Sequence, residues 1–145
     1  MKCTTVIDPT KDEEVVIRLH EMRELANRIQ ELVQSESFDL VGYDKNGIEP
    51  LAAEEVFCFT VEEGSVVALT ARGRFRIKHR LYVLEEQLGP MFVKINQSCI
   101  VNVKQIKRFD ASVAGALCVT LHCGFRDYVS RRQLKTVKER MGFTL

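Results

Sequence analysis

Two groups of side chains in this 145-residue chain stand where their chemistry would count. The first is Ser130-Arg131-Arg132-Gln133, which reads as a capping box, with Ser130 at the start of a last helix and Gln133 reaching back to it. The buried side of that helix would be Leu134, Val137 and Met141, and Gly142 would end it. Arg131 and Arg132 then fall in the first turn, where a cation opposes the helix dipole at a cost of about 0.3–1 kcal/mol. Guanidinium forks and backbone N–H groups aimed the same way suit a phosphate or the O6/N7 edge of a guanine. A solvated surface would tolerate them as well. The second group is Arg74, Arg76 and Lys78, which alternate with Phe75 and Ile77, so that a strand there has one apolar face and one row of cations. Such a row fits the backbone of a polyanion, or is a plain solvated face.

Other chemistries find no support. Cys118 and His122, with Cys123, could tempt a zinc reading. The alternation of a strand, however, puts Cys123 on the opposite face from the other two. Two buried thiols are therefore the expectation, and no metal site. Five scattered cysteines without a C-x-x-C pair suit reduced thiols rather than a disulfide framework. His20, His79 and His122 are far apart, and no phosphate-loop, zincin, nucleophile-elbow or dinucleotide motif occurs. No enzyme activity, cofactor or small-molecule substrate is expected.

The elements that must carry the cations can be read from periodicity. A capping box at Thr10 and Glu13 predicts a helix of about six turns with Val15, Leu19, Met22, Ala26, Ile29 and Val33 on its stripe. Short apolar stretches at residues 4–7 and 38–43 flank it, making a strand-helix-strand leader. Strands follow at residues 56–61, 66–70 and 75–79, separated by Glu62-Glu63-Gly64 and Ala71-Arg72-Gly73 as hairpin turns. Leu81, Leu84 and Leu88 mark a short helix that Gly89-Pro90 stops. Strands resume at residues 92–95, 99–103, 117–121 and 128–129. Asn102 ends one of them, where its amide can close a turn. The fold class is α+β, mainly antiparallel β with short helices. An acidic leader over residues 1–50 precedes a domain over residues 51–145.

Composition agrees with one folded domain, at 46% hydrophobic and 28% charged residues. The longest apolar runs span only a few residues and the N-terminus turns acidic at once, so neither a membrane helix nor export is expected, and the address is cytoplasmic. The net charge of +1 hides a division: residues 1–55 hold 6 Lys/Arg against 13 Asp/Glu, and residues 56–145 hold 15 against 7. A concentrated positive field attracts a polyanion even when the whole chain is nearly neutral. Nucleic acid is the first candidate. A regulator that binds duplex DNA fits the charge, and so does a small RNA-binding or ribosome-associated β protein, although for the latter exposed aromatic pairs that stack bases are not evident.

The stretches MFVKINQSCIVNVKQI (residues 91–106) and CGFRDYVSRRQLK (residues 123–135), with LYVLEEQL (residues 81–88) upstream, resemble the LytTR family of DNA-binding domains. The similarity runs from about residue 51 to 143. It implies a mostly β domain that binds DNA through loops, in bacterial transcription regulators that bind as pairs to repeated half-sites. By motif position the contacts would fall on the hairpin loop of residues 62–65 with Ser65, on Asn96, Gln97 and Ser98, and on Arg132 with Lys135 one turn on. Gln97 stands where a basic residue is usual, and Glu62 and Glu63 would repel phosphate. Many members of the family carry this domain after a phosphoryl-accepting receiver, but the 50 residues ahead of it here, with one helix, are too few for such an α/β unit, and no phospho-aspartate switch is expected. Stand-alone members suggest control by homodimerisation through the leader or by an inhibitory membrane protein.

Overall fold

The computed structural model describes residues 1–37, 39–111 and 115–144. Among these residues ten strands and three α-helices follow one another as α1 (Glu24–Ser37), β1 (Leu40–Asp44), β2 (Gly47–Leu51), β3 (Val56–Glu62), β4 (Ser65–Thr70), β5 (Gly73–Ile77), α2 (Leu81–Leu88), β6 (Phe92–Asn96), β7 (Cys99–Asn102), β8 (Ile106–Ala111), β9 (Leu117–Leu121), β10 (Arg126–Val129) and α3 (Arg131–Met141). All strand pairs are antiparallel. Seven strands form one sheet in the order β2-β1-β5-β4-β3-β7-β6, and β10-β9-β8 form a second.

Strands β3, β7 and β6 of the large sheet are covered on both faces, which explains why they read as near-continuous apolar runs, whereas β5 leaves Arg74 and Arg76 exposed on one face. Phe59, Ala68, Phe75, Ile77 and Ile100 pack on one side with Leu81, Leu84 and Leu88 of α2. Their sequence neighbours Cys58, Leu69, Cys99 and Val101 point the other way, onto Leu117, Val119 and Leu121 of the small sheet and Val137 of α3. The period of two thus sorts adjacent residues into two cores. Gly42 allows β1 to approach the sheet, since a Cβ built there would stand 2.7 Å from Cβ of Phe75. Glu63 (φ 51°) and Gly64 (φ 78°) make the left-handed two-residue turn that matches the twist of the β3–β4 hairpin. Asn102 is buried, donates to the Val56 carbonyl at 3.0 Å and accepts from the Lys104 N–H at 3.0 Å, the turn-closing role expected of it.

The N-terminal part departs from the expected leader. Residues 4–7 form no strand and are exposed, and the helix begins at Glu24 instead of Thr10, four turns instead of six. The Asp8 carboxylate accepts from both the Thr10 N–H (3.0 Å) and the Thr10 hydroxyl (2.6 Å), which removes the proposed cap, and those bonds hold the Asp8 carboxyl below its usual range. Val15-Val16-Ile17 is a β-branched run that loses side-chain freedom in a helix, and it stays non-helical, with Val15 and Val16 exposed and Ile17 half-buried in a hollow shared with Ile29 and Val33 of α1. Phe38, the start of the strand expected after the helix, lies outside the described residues, as does Leu145. The boundary expected at residue 50 falls inside β2, which with β1 extends the large sheet through the pairing of Tyr43 with Arg76. Two strands were not foreseen. β2 contains Pro50, whose missing N–H is tolerated because β2 lies at the sheet edge. β8 lacks a clean alternation.

Candidate nucleic-acid interface

Strand register gathers most of the singled-out residues at one end of the large sheet. Thr60 of β3 lies opposite Cys99 of β7, and the Val61 N–H donates to the Ser98 carbonyl at 2.9 Å. The β3–β4 turn with Ser65 therefore stands beside the β6–β7 turn with Gln97 and Ser98. Val66 opposite Ile77 brings the end of β5, with Lys78, next to Ser65. On the other flank the Ser130 N–H donates to the Ile95 carbonyl at 2.8 Å, which ties the start of α3, and so Arg131 and Arg132, to the end of β6. Gln97, Ser98, Lys78, Arg131, Arg132 and Lys135 are exposed and Ser65 is half-buried.

Charge is distributed unevenly over this end. Arg131, Arg132 and Lys135 make no ion pair or hydrogen bond with another described side chain. Ser130 occupies the N-cap with extended backbone, but its hydroxyl makes no cap bond, so the capping box expected there is absent. The Gln133 and Leu134 N–H groups donate to the Ser130 carbonyl at 3.1 and 3.0 Å, which leaves the N–H groups of Arg131 and Arg132 ahead of the helical ladder, next to their two guanidinium groups. Arg74 and Arg76 lie farther along β5, on the face away from Phe75 and Ile77 and shared with α3. Four strand spacings, roughly 19 Å, separate β5 from β6. Arg74 pairs with Glu62, Lys78 sits over the Tyr43 ring at 4.7 Å, and Arg76 has no described partner. Arg72 is a structural cation: it bonds Glu55 at 2.9 Å and Glu49, and lies over the Phe75 ring at 5.5 Å. Those bonds, Glu55 first, raise its pKa.

Two expectations need correction. Asn96 is not at the surface: it is 2% exposed. Its Nδ2 donates to Asp127 Oδ2 at 3.1 Å and to the Tyr128 carbonyl at 2.8 Å, and its Oδ1 accepts from the Ser98 N–H at 2.8 Å. Both amide hydrogens are used inside the protein, so its role is to shape the turn. The bulge between Lys94 and Asn96 in the β6–β7 register turns this side chain inward, which plain alternation could not foresee. The second concerns the thiols. Cys118 is half-buried and Cys123 exposed, while the buried pair is Cys58 and Cys99. Contact with Cys58, burial and the nearby Asp127 carboxylate push the Cys99 thiol far up, so it stays neutral. Among the described residues no three His, Cys, Asp or Glu side chains cluster as metal ligands.

Sequence reading also passed over Asp127, the partner of Asn96, and Arg80, an exposed cation three residues past β5. Neither sits in a pattern that distinguishes it from a surface charge.

Comparison with known proteins places this geometry. A family model described as the LytTr DNA-binding domain matches residues 46–142. Proteins named as uncharacterized HTH-type transcriptional regulators, from Staphylococcus aureus strains NCTC 8325 and COL, are each 34% identical over 120 residues, covering 83% of this chain and 80% of theirs. A solved LytTr DNA-binding domain, of a putative methyl-accepting/DNA response regulator from Bacillus cereus, superposes with a TM-score of 0.67 at 20% identity, over 72% of this chain and 97% of that one. The likeness confirms the mainly antiparallel α+β fold. The staphylococcal names refer to a helix-turn-helix, yet among the described residues no two α-helices are consecutive.

Proposed function

The chain belongs to the LytTr DNA-binding domain family, a DNA-binding regulator of transcription, and we propose that it reads duplex DNA in a sequence-specific way through the turn-bearing end of its large sheet. Arg132 reaches a base edge, Gln97 and Ser98 supply further polar contacts from the β6–β7 turn, and Ser65 closes the adjoining hairpin. Arg131, Lys135, Arg74, Arg76 and Lys78 hold phosphates, which position the protein without selecting sequence. The observation that carries this reading is the convergence of two strand turns and a helix start at one end, fixed by the bond from Ser130 to Ile95.

Two copies would bind repeated half-sites. A homodimer is supported by α1, in which Ala26 is buried while Leu25 (44%), Leu32 (62%) and Val33 (39%) stand in solvent. Residues 1–50 thus serve control, either in that pairing or in capture by an inhibitory membrane protein. No helix among the described residues is long and apolar enough to cross a membrane. We place the site of action in the cytoplasm, where bacterial DNA resides.

The test is selection from a random duplex pool at two salt concentrations, with the native chain and with Arg132→Ala. A repeated motif that Arg132→Ala loses supports base reading, at about 1–3 kcal/mol for a good contact. Salt-sensitive retention without any motif would mean that the cations only follow phosphates, and would refute the proposal.

A further inference from the structure

We propose that Asn96 and Asp127 are positioning residues for DNA reading, a buried strut that holds the Gln97–Ser98 turn at a fixed place relative to the start of α3. The inference rests on the reading that this turn and Arg132 face DNA.

Turns between strands ordinarily keep their polar side chains in water. Asn96 does the reverse. Two of its three bonds cross to Asp127 and Tyr128, at the end of β10 and within four residues of Arg131, and the third sets the Ser98 N–H and hence the path of the turn. Asp127 is anchored in its own right, since its Oδ1 accepts from the Tyr128 N–H at 2.8 Å and the buried Cys99 lies against it. Next to this side-chain bridge runs a backbone bridge, from the Ser130 N–H to the Ile95 carbonyl at 2.8 Å. Two successive residues of β6, 95 and 96, are therefore both tied to the β10–α3 junction.

A buried amide with its donors satisfied is costly to disturb and rigid once formed. These bonds link the two elements that would meet DNA, while the hydrophobic layers lie on the other residues of the strands. Loss of the strut should hence change the relative placement of Gln97 and Arg132 more than it changes the core. Base reading needs both to reach their edges together, whereas phosphate contact tolerates small displacements. The strut is accordingly a determinant of preference and not of general affinity.

The experiment compares two duplexes, one recovered by selection with the native full chain and one scrambled. Dissociation constants for both are measured by fluorescence anisotropy with native protein, Asn96→Ala, Asp127→Ala and the conservative Asp127→Asn. Asp127 is only half-buried, so Asp127→Ala tests the strut even if Asn96→Ala does not fold. The expected result for the alanine variants is a fall of about tenfold in the ratio of the two constants. Binding to the scrambled duplex should change less than about twofold. Asp127→Asn, whose amide oxygen can still accept from Asn96, should keep part of the ratio. An unchanged ratio in a folded Asp127→Ala overturns the strut. A native motif indifferent to Gln97→Ala and Arg132→Ala overturns the underlying reading, and the strut with it.

Discussion

The row of cations on β5 makes a quantitative claim about salt. Each phosphate neutralised by Lys or Arg releases counterions, and log affinity falls against log salt with a slope near −0.9 per contact. Arg74, Arg76, Lys78, Arg131 and Lys135 would give a slope of about −4.5 per copy, a loss of about 500-fold for a fourfold rise in salt. Arg74 already pairs with Glu62 and exchanges one anion for another, so the native slope should sit nearer to −3.6, about 150-fold over the same range. Arg76 has no side-chain partner to give up among the described residues. Arg76→Ala should therefore flatten the slope by about 0.9. Arg74→Ala should flatten it clearly less, and Glu62→Gln should steepen it by releasing Arg74. Anisotropy titrations with a fixed duplex between 50 and 200 mM salt, roughly the range where such slopes are linear, would measure all four. Equal effects of Arg74→Ala and Arg76→Ala, or a native slope shallower than about −2, would refute the assignment of this strand to the DNA backbone.

Gly42→Ala places a methyl 2.7 Å from Cβ of Phe75 and should lower stability by about 1–3 kcal/mol, seen as a lower urea midpoint with an unchanged m-value. Glu63→Asn puts a residue tolerant of positive φ at 51° and removes a negative charge beside the proposed DNA face, so thermal stability should rise slightly and DNA affinity at low salt should rise with it. In native protein a thiol reagent should modify the exposed Cys3 and Cys123 first and Cys118 more slowly, with Cys58 and Cys99 protected until unfolding. The Cys99 pKa is raised on folding, so its contribution to stability is complete below the unfolded value and is lost as pH climbs past about 8.5. Cys99→Val should abolish that alkaline decline in a pH series of urea melts.

Legibility in the sequence followed local chemistry. Glu62-Glu63-Gly64 and Ala71-Arg72-Gly73 announce the hairpins of β3, β4 and β5, and the Leu81, Leu84 and Leu88 spacing with Gly89 announces α2. The limits of α3, Arg131–Met141 with Gly142 ending it, are equally plain, although the hydroxyl expected to cap it makes no such bond. What could not be read depends on neighbours distant in the chain. The four-three spacing from Val15 to Val33 looks like one helix, yet only its second part, from Glu24, is helical, with Ala26 buried beside the 3₁₀ turn at Gly89–Met91. The inward turn of Asn96 depends on a bulge and on Asp127, 31 residues away. The residues that would touch DNA carried a local signature, while those that place them did not.

The β6–β7 turn has one more consequence. Asn96 and Cys99 are buried on either side of it, and only Gln97 and Ser98 are exposed between them. Preference for a target can then drift by exchange of a dipeptide whose side chains bear none of the folding load. Relatives could diverge in the promoters they recognise while their scaffolds stay nearly superimposable. For the same reason a library confined to these two positions, with Asn96 and Asp127 kept, is the natural starting point for redirecting the protein to a chosen site.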